Sequence, residues 1–418
     1  MDNKSVNKLQ TLKGFRDFLP EDARKRAWLR QKMVEVFEKW GFEPLETPTL
    51  EPLELFRGEI GEDEKMFFKF EDPGGRKVAL RYDQTVPTVR VVGQYSDKLI
   101  FPFRRYQIQP AFRAEKPQKG RYREFVQADI DIIGVESPIA DAECIAVSID
   151  LYKFLGFSNV VALINNRDLL TGIPYPVIAA IDKIKKIGRD AVIKEIIEKG
   201  FSKNDAESFL AKVENLKPDE KLLTIFRYLE KSGFPKENFK FEPTLARSFS
   251  YSQGPIWEMV IPEYTTASFG GSVGGGERYD GMIERITGKK IAGTGIAFGF
   301  DRTLEALEAL SLIPKSKPVS QVLVTIFSPD LLIQSIEAAK TLRGSGINAE
   351  LYPDENTKLD KQLKYADKKD IPLVAVIGPE EAKTNSVVVK NMSTTDQETL
   401  PLSELAEYIN RYTNDRNV

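Results

Sequence analysis

Residues 124–133 alternate in a way that few folds accommodate. Successive side chains of a strand point to opposite faces. Val126, Ala128, Ile130 and Ile132 therefore form one apolar face, and Phe125, Gln127, Asp129, Asp131 and Ile133 share the other. A slip of one residue would exchange the two sets, so a core on one side and a polar row on the other are demanded together. Residues 101–113 read as a partner strand, with Arg105, Gln107, Gln109, Ala111 and Arg113 on one face. An ordinary half-solvated sheet has this pattern too. The connecting loop does more to mark a site, because Lys116, Lys119, Arg121 and Arg123 crowd into it next to Arg113. Guanidinium groups hold phosphate oxygens in a planar, bidentate way. Several on one hairpin would grip a polyphosphate beside the polar face. On composition alone, a basic solvated turn accounts for the loop equally well.

The rest of the composition restricts the chemistry. The chain has 418 residues and no histidine. That excludes an imidazole base, hence serine and cysteine triads, and histidine-ligated metals. Cys144 is the single cysteine, so an intramolecular disulfide framework and a cysteine metal cluster are excluded as well. It lies in an apolar helical stretch and is expected in the core. The chemistry must run on carboxylates, guanidiniums, phosphates or cofactors, and no protein-bound metal is expected. A net charge of −2 leaves any nucleic-acid contact to local basic patches. No apolar run is long enough to span a bilayer and residues 1–19 lack a signal-type stretch, so no membrane association and a cytoplasmic location are expected.

Length argues for two or three domains. Leu29, Met33, Val36, Phe37 and Trp40 repeat at helical spacing within 21–40, with Pro20 before them and Gly41 after. Residues 78–82 read as a further strand, and 138–156 as a long helix. From about 172 to 240, lysine and glutamate dominate short helical segments broken by Gly188, Gly200 and Gly233, as in a helical insertion. Glycine-rich strands resume from about 244 to 300, and 301–311 reads as a helix. Residues 314–318, with a proline at each end, read as a linker. Beyond it, strand and helix alternate, which predicts a small α/β domain with a largely parallel sheet and crossover helices.

Three segments carry a family resemblance. Phe112-Arg113-Ala114-Glu115, then Gly120-Arg121-Tyr122-Arg123-Glu124-Phe125 and Gln127-Ala128-Asp129-Ile130-Asp131, resemble the second signature motif of class II aminoacyl-tRNA synthetases. The string from Tyr106 to Gly134 is similar to the histidyl-tRNA synthetase version in particular. Lys13-Gly14-Phe15-Arg16-Asp17 and the helix running towards Pro48 resemble the first motif, which forms a dimer interface. Gly293-Thr294-Gly295-Ile296-Ala297-Phe298-Gly299-Phe300-Asp301-Arg302 resembles the third. The resemblance implies an α+β catalytic domain over 1–318, an antiparallel sheet with flanking helices, carrying the helical insertion. It implies an α/β anticodon-binding domain over 319–418, and a homodimer.

The resemblance also assigns roles. Arg113 matches the arginine on the ATP α-phosphate, and Glu115 the glutamate that meets the adenine amino group. Arg121 and Arg302 match arginines on the terminal phosphates, and Phe125 the ring that stacks on adenine. Asp83 and Thr85, in Leu80-Arg81-Tyr82-Asp83-Gln84-Thr85, match the pair holding the substrate amino group, although an aspartate there is otherwise most often a turn residue. Gln127 matches the glutamine near the substrate carboxylate and amino group, and Asp131 the acid that meets the imidazole. Arg247 lies in Arg247-Ser248-Phe249-Ser250-Tyr251-Ser252, similar to a signature of the histidyl family whose arginine acts where other class II enzymes use a metal ion. Tyr251 and Ser252 fall on substrate-binding positions, as does Tyr279. The family usually has an aspartate at Ser250, a tyrosine at Ser252 and a glycine at Glu277.

The implied reaction is ATP-dependent activation of histidine and its transfer to tRNA(His), with Mg2+ accompanying the ATP. A non-catalytic tRNA-binding regulatory relative, or a synthetase of altered amino-acid specificity, are the alternatives. In the C-terminal domain, Lys361, Lys364 and Lys368 share a helix face beside Tyr365. Lys183, Lys185, Lys186, Arg189 and Lys194 make the insertion basic. Either set would suit RNA phosphates, and either would suit a plain solvated face.

Overall fold

A computed structural model describes residues 9–56, 66–117, 122–247, 253–265, 272–315 and 317–415. The chain divides into two compact units between Pro314 and Lys315.

The first unit begins with helix α1 (Pro20–Lys39), whose first turn has Pro20, Glu21 and Asp22 and whose last has Lys39, as the helix dipole favours. It buries Leu29, Met33, Val36 and Phe37. Strands β1 (Glu43–Pro44), β2 (Leu50–Pro52), β3 (Lys69–Glu71) and β4 (Lys77–Leu80) follow, then helix α2 (Thr85–Tyr95). The long hairpin is β5 (Phe103–Phe112) and β6 (Glu124–Ile133), paired antiparallel with Arg105 opposite Asp131 and Gln109 opposite Gln127. Helix α3 (Pro138–Phe154) is buried almost all round, and Cys144 sits within it at 0% exposure. Strand β7 (Val161–Asn166) leads to helices α4 (Tyr175–Ile181), α5 (Ile184–Ile187), α6 (Arg189–Glu198), α7 (Lys203–Glu214) and α8 (Glu220–Lys231). Strand β8 (Phe239–Phe241), strand β9 (Gln253–Val260), helix α9 (Pro262–Thr265), strand β10 (Gly274–Arg278), helix α10 (Asp280–Thr287), strand β11 (Gly293–Gly299) and helix α11 (Phe300–Ala309) complete it.

Eight strands form one sheet in the order β1-β5-β6-β11-β10-β9-β7-β8. The six inner strands are antiparallel to their neighbours, while β1 joins β5 and β8 joins β7 in parallel. One face packs into a large core that includes Leu29 and Phe37 of α1, Ala128, Ile130 and Ile132 of β6, Ile145 and Tyr152 of α3, and Phe298 of β11. The apolar face expected of β6 is therefore the core face. The opposite face carries the site, its polar side chains largely buried beneath two cavities. The expected strand at 78–82 is β4, but it belongs to a separate three-stranded sheet, β2-β4-β3.

The helical insertion is shorter than its composition suggested. A core of its own joins Val177, Ile181, Val192, Ile196, Ala206, Leu210 and Val213 of α4, α6 and α7. Helix α8 instead sends Leu222, Ile225 and Leu229 into the main core, and β8 is a strand of the main sheet. Polar outer faces on α8 hid this, because its apolar stripe is only one side of a charged helix. On the surface, Lys183 pairs with Glu195 at 2.7 Å, Lys185 with Glu242 at 2.6 Å and Arg189 with Glu214 at 3.3 Å.

The second unit has strands β12 (Val322–Val324), β13 (Ala349–Leu351), β14 (Leu373–Val376), β15 (Ser386–Asn391) and β16 (Gln397–Pro401), in the order β13-β12-β14-β15-β16. Its helices are α12 (Leu332–Gly344), α13 (Leu359–Lys368), α14 (Pro379–Thr384) and α15 (Leu405–Asp415). The sheet is mixed rather than largely parallel. Strands β13, β12 and β14 run parallel, whereas β15 and β16 are antiparallel additions. The β15–β16 link closes with Asn391 N–H, bonded at Asp396 O, and with Thr395 in the left-handed region. So short a connection permits only antiparallel pairing. On α13, Lys361, Lys364 and Lys368 are exposed, and Lys364 pairs with Asp360 at 2.7 Å.

Candidate active site

Strand register assembles the polar face in rows. Arg105, Asp131, Gly295 and Glu277 stand side by side across β5, β6, β11 and β10. The next row is Gln107, Asp129, Ala297, Gly275 and Glu258, the last from β9. A third is Gln109, Gln127 and Gly299. Polar side chains thus flank a strip of glycine and alanine. At two of these glycines a side chain has no room. A Cβ on Gly295 would lie 2.0 Å from Asp131 Oδ1, and one on Gly275 would lie 1.7 Å from Arg247 Nη1. The small residues let side chains from neighbouring strands and loops lie across the floor.

Two cavities open above it. The larger, about 450 Å³, is lined by Arg113, Glu115, Phe125, Asp301 and Arg302 among others. The smaller, about 100 Å³, is lined by Asp83, Thr85, Asp129, Asp131, Glu277 and Tyr279 among others. Both share Arg113, Gln127, Arg247, Gly275 and Ala297. The two arginines therefore stand where the cavities meet.

In the larger cavity, the Arg113 guanidinium carbon lies 5.1 Å from the Phe125 ring centroid and 4.2 Å from that of Tyr82. Stacking on aromatic faces fixes the plane of a guanidinium while leaving its N–H edge directed outwards. Arg302 Nη1 donates to Ser272 O at 3.1 Å. Asp301 accepts from Arg16 at 2.8 Å, from Arg26 at 2.6 Å and from Val126 N at 2.9 Å, which ties the start of β6 to α1, α11 and the N-terminal segment.

The smaller cavity is built on buried charge. Arg105, fully buried, lies 2.5 Å from Asp131 and 4.0 Å from Asp129. The Tyr279 hydroxyl donates to Asp131 Oδ1 at 2.5 Å, and Gln127 Nε2 donates to Asp129 Oδ2 at 3.0 Å. Asp129 Oδ1 has no hydrogen-bond partner among the described residues. Burial pushes both carboxyls up, that of Asp129 well above the usual carboxylate range, and Arg105 opposes the shift in each. The negative charge of Asp131 adds to the rise at Asp129. Burial and then Asp131 raise the Tyr279 hydroxyl, which keeps it a donor. Asp83 does two things at once. Its Oδ1 accepts Val86 N at 3.1 Å at the start of α2, and the residue also lines the cavity. Thr85 is the first residue of α2.

Arg247 spans both cavities in an unusual conformation. Its φ is 41°, in the left-handed region, and its guanidinium lies 3.4 Å from Glu277. Arg113, Glu115, Phe125, Gln127, Arg302, Asp83, Thr85, Asp131, Arg247 and Tyr279 thus meet around one site. Arg121, Tyr251 and Ser252, together with Ser250, lie outside the described residues. Sequence reasoning missed Arg105, Asp129 and Glu258 as site residues. Arg105 and Asp129 were already on the polar faces, and their cross-strand proximity was the available signal. Glu258 had none, since β9 has an apolar run around it.

Comparisons with known proteins point to one family. A family model described as histidyl-tRNA synthetase matches residues 14–176, and one described as an anticodon binding domain matches 321–412. A histidine–tRNA ligase of Cytophaga hutchinsonii is 36% identical, covering 92% of this chain and 96% of its own length. One from Wolinella succinogenes is 38% identical, covering 93% and 95%. The crystal structure of histidyl-tRNA synthetase from Nostoc sp. PCC 7120 superposes with a TM-score of 0.81 at 26% identity, covering 96% of this chain and 99% of that one.

Proposed function

This chain belongs to the histidyl-tRNA synthetase family, and from that premise we propose how its own residues perform the reaction. The activity is that of a histidine–tRNA ligase, an aminoacyl-tRNA ligase that uses ATP. The regulatory alternative is not favoured, since the Cytophaga and Wolinella relatives that match over most of the chain are ligases and residues 321–412 match an anticodon binding domain.

The observation that carries the residue assignment is the junction of the two cavities at Arg113 and Arg247. ATP occupies the larger cavity. Phe125 stacks on adenine, Glu115 accepts from its amino group, and Arg302 and Arg121 hold the terminal phosphates. Histidine occupies the smaller cavity. Asp83, Thr85 and Gln127 hold its amino end, Asp131 and Tyr279 meet its ring, and the family resemblance gives Tyr251 and Ser252 substrate-binding roles as well. The histidine carboxylate then faces the α-phosphate at the junction. Its oxygen bonds to the α-phosphorus, the bond to the bridging oxygen breaks, and pyrophosphate leaves. Arg113 and Arg247 screen two anions from each other and stabilise the added negative charge of the transition state. The nucleophile is already ionised, so no side-chain base is required. A chain without histidine loses nothing in this step. Transfer follows when a ribose hydroxyl of the tRNA attacks the acyl carbon and AMP leaves.

Mg2+ enters with the triphosphate as part of that substrate. Among the described residues no group of three carboxylate or thiol side chains is arranged to hold a metal ion. The second unit takes the tRNA anticodon, with Lys361, Lys364 and Lys368 as candidate phosphate contacts. The ligase acts as a homodimer in the cytoplasm. Exposed Leu9, Leu12, Leu19 and Ile100 support a protein interface, and no helix among the described residues is long and apolar enough to cross a membrane. Exchange of labelled pyrophosphate into ATP should occur with histidine. Absence of exchange with histidine overturns the assignment.

A further inference from the structure

The backbone of Arg247 is held by the helical insertion, and its head lies against the sheet. Asp182 follows the last residue of α4 and caps it through Asp182 N, bonded to Ile178 O at 3.0 Å. Its carboxylate reaches back across the chain. Asp182 Oδ1 accepts Ala246 N at 3.1 Å and Arg247 N at 2.8 Å. Two successive peptide N–H groups therefore converge on one carboxylate oxygen, at the residue whose φ is 41°. Residues other than glycine rarely adopt that region, and they stay there only where the surroundings over-determine it. The neighbouring Ala246 is 1% exposed and packs within the insertion's own core beside Val177 and Ile181. Arg167 Nη1 also donates to Ala246 O at 2.9 Å. At the other end, the guanidinium rests on Gly275, where a Cβ would leave it 1.7 Å of space, and lies 3.4 Å from Glu277.

We propose that Asp182 is a positioning residue for adenylate formation. By holding the Ala246 and Arg247 peptide N–H groups, it aims the Arg247 guanidinium at the junction of the two cavities. Activity of the sheet site then depends on where the insertion sits, although Asp182 lines neither cavity. The inference rests on the role given to Arg247 above. It adds a residue distant in sequence that acts only through that arginine.

A double-mutant cycle in the full-length protein tests it, read by histidine-dependent pyrophosphate exchange. Asp182→Ala should lower kcat about tenfold, with KM for ATP and for histidine each within about twofold, since Arg247 serves the transition state more than ground-state binding. Asp182→Asn keeps an acceptor oxygen and should recover most of the rate, to within about threefold. In an Arg247→Ala background, neither change should lower the residual rate further. Equal fold-losses in both backgrounds, or an unchanged kcat in Asp182→Ala, overturn the proposal. If Asp182→Ala does not fold, Asp182→Asn runs the same cycle, and its loss must vanish in the Arg247→Ala background. A wild-type protein without exchange removes the role of Arg247 and this inference together. Wild-type exchange with an additive cycle removes this inference alone.

Discussion

The Tyr279 hydroxyl donates to Asp131 Oδ1 at 2.5 Å directly over Gly295, whose absent side chain leaves the carboxylate its place. A ring from the segment joining β10 to α10 and an acid from β6 therefore meet above a strand that contributes only backbone there. Tyr279→Phe should keep the shape and lose the hydrogen bond. A buried carboxylate left short of a donor costs about 1–3 kcal/mol. We expect KM for histidine to rise by about tenfold or more with KM for ATP unchanged. Equal shifts in both constants would show that the hydroxyl does not serve the amino-acid pocket.

Gly295→Ala tests the floor itself. The new methyl would stand 2.0 Å from Asp131 Oδ1 and 2.5 Å from Ile130 O, so backbone or carboxylate must move. Overpacking of this kind costs about 1–3 kcal/mol of stability. The variant should melt lower and bind histidine more weakly, as measured by calorimetric melting and exchange kinetics. A native KM for histidine would count against the proposed seat of the ring.

Arg247→Ala should separate chemistry from folding. Removing one preorganised donor to a developing charge costs about 10²–10³ in kcat. Alanine retains the left-handed backbone and the peptide N–H that Asp182 accepts, so the melting temperature should fall by only a few degrees. A kcat within about threefold of native would refute the assigned role.

Asp141 gives a pH signature away from the site. It lies between Arg278, at 2.9 Å, and the Thr294 hydroxyl, at 2.6 Å, and burial pushes its carboxyl up to about 6 against an ordinary value of 3.8. A raised folded-state pKa means the native form holds a proton that the unfolded form has released. The stabilisation is complete below about pH 4 and is lost as pH rises through about 6. At 1.36 kcal/mol per unit it amounts to about 3 kcal/mol. Asp141→Asn lacks this dependence, so its stability relative to the native protein should improve between pH 4 and pH 7, as followed by urea unfolding. Parallel stability curves would contradict the shift.

Much of the site was legible because strands obey a period of two. Once Val126, Ala128, Ile130 and Ile132 were assigned to a core, Gln127, Asp129 and Asp131 had to share the opposite, polar face. The helix over 21–40 was equally readable from Leu29, Met33, Val36 and Phe37. Contacts made by fold rather than by period were not. Nothing local links Asp182 to Arg247, and the charged exterior of α8 concealed that Leu222, Ile225 and Leu229 belong to the main core. The parallel sheet expected beyond the linker failed at β15 and β16, where Asn391 and Thr395 make a tight reversal that an alternating strand–helix pattern does not reveal.

A floor of glycine and alanine has a consequence for how such a pocket changes over time. Gly275, Gly295, Ala297 and Gly299 have almost nothing left to give up, so substitution there can only fill the space above. New selectivity must arise in the walls, at positions such as Glu277 and Asp129, where side chains can be exchanged without closing the room they enclose.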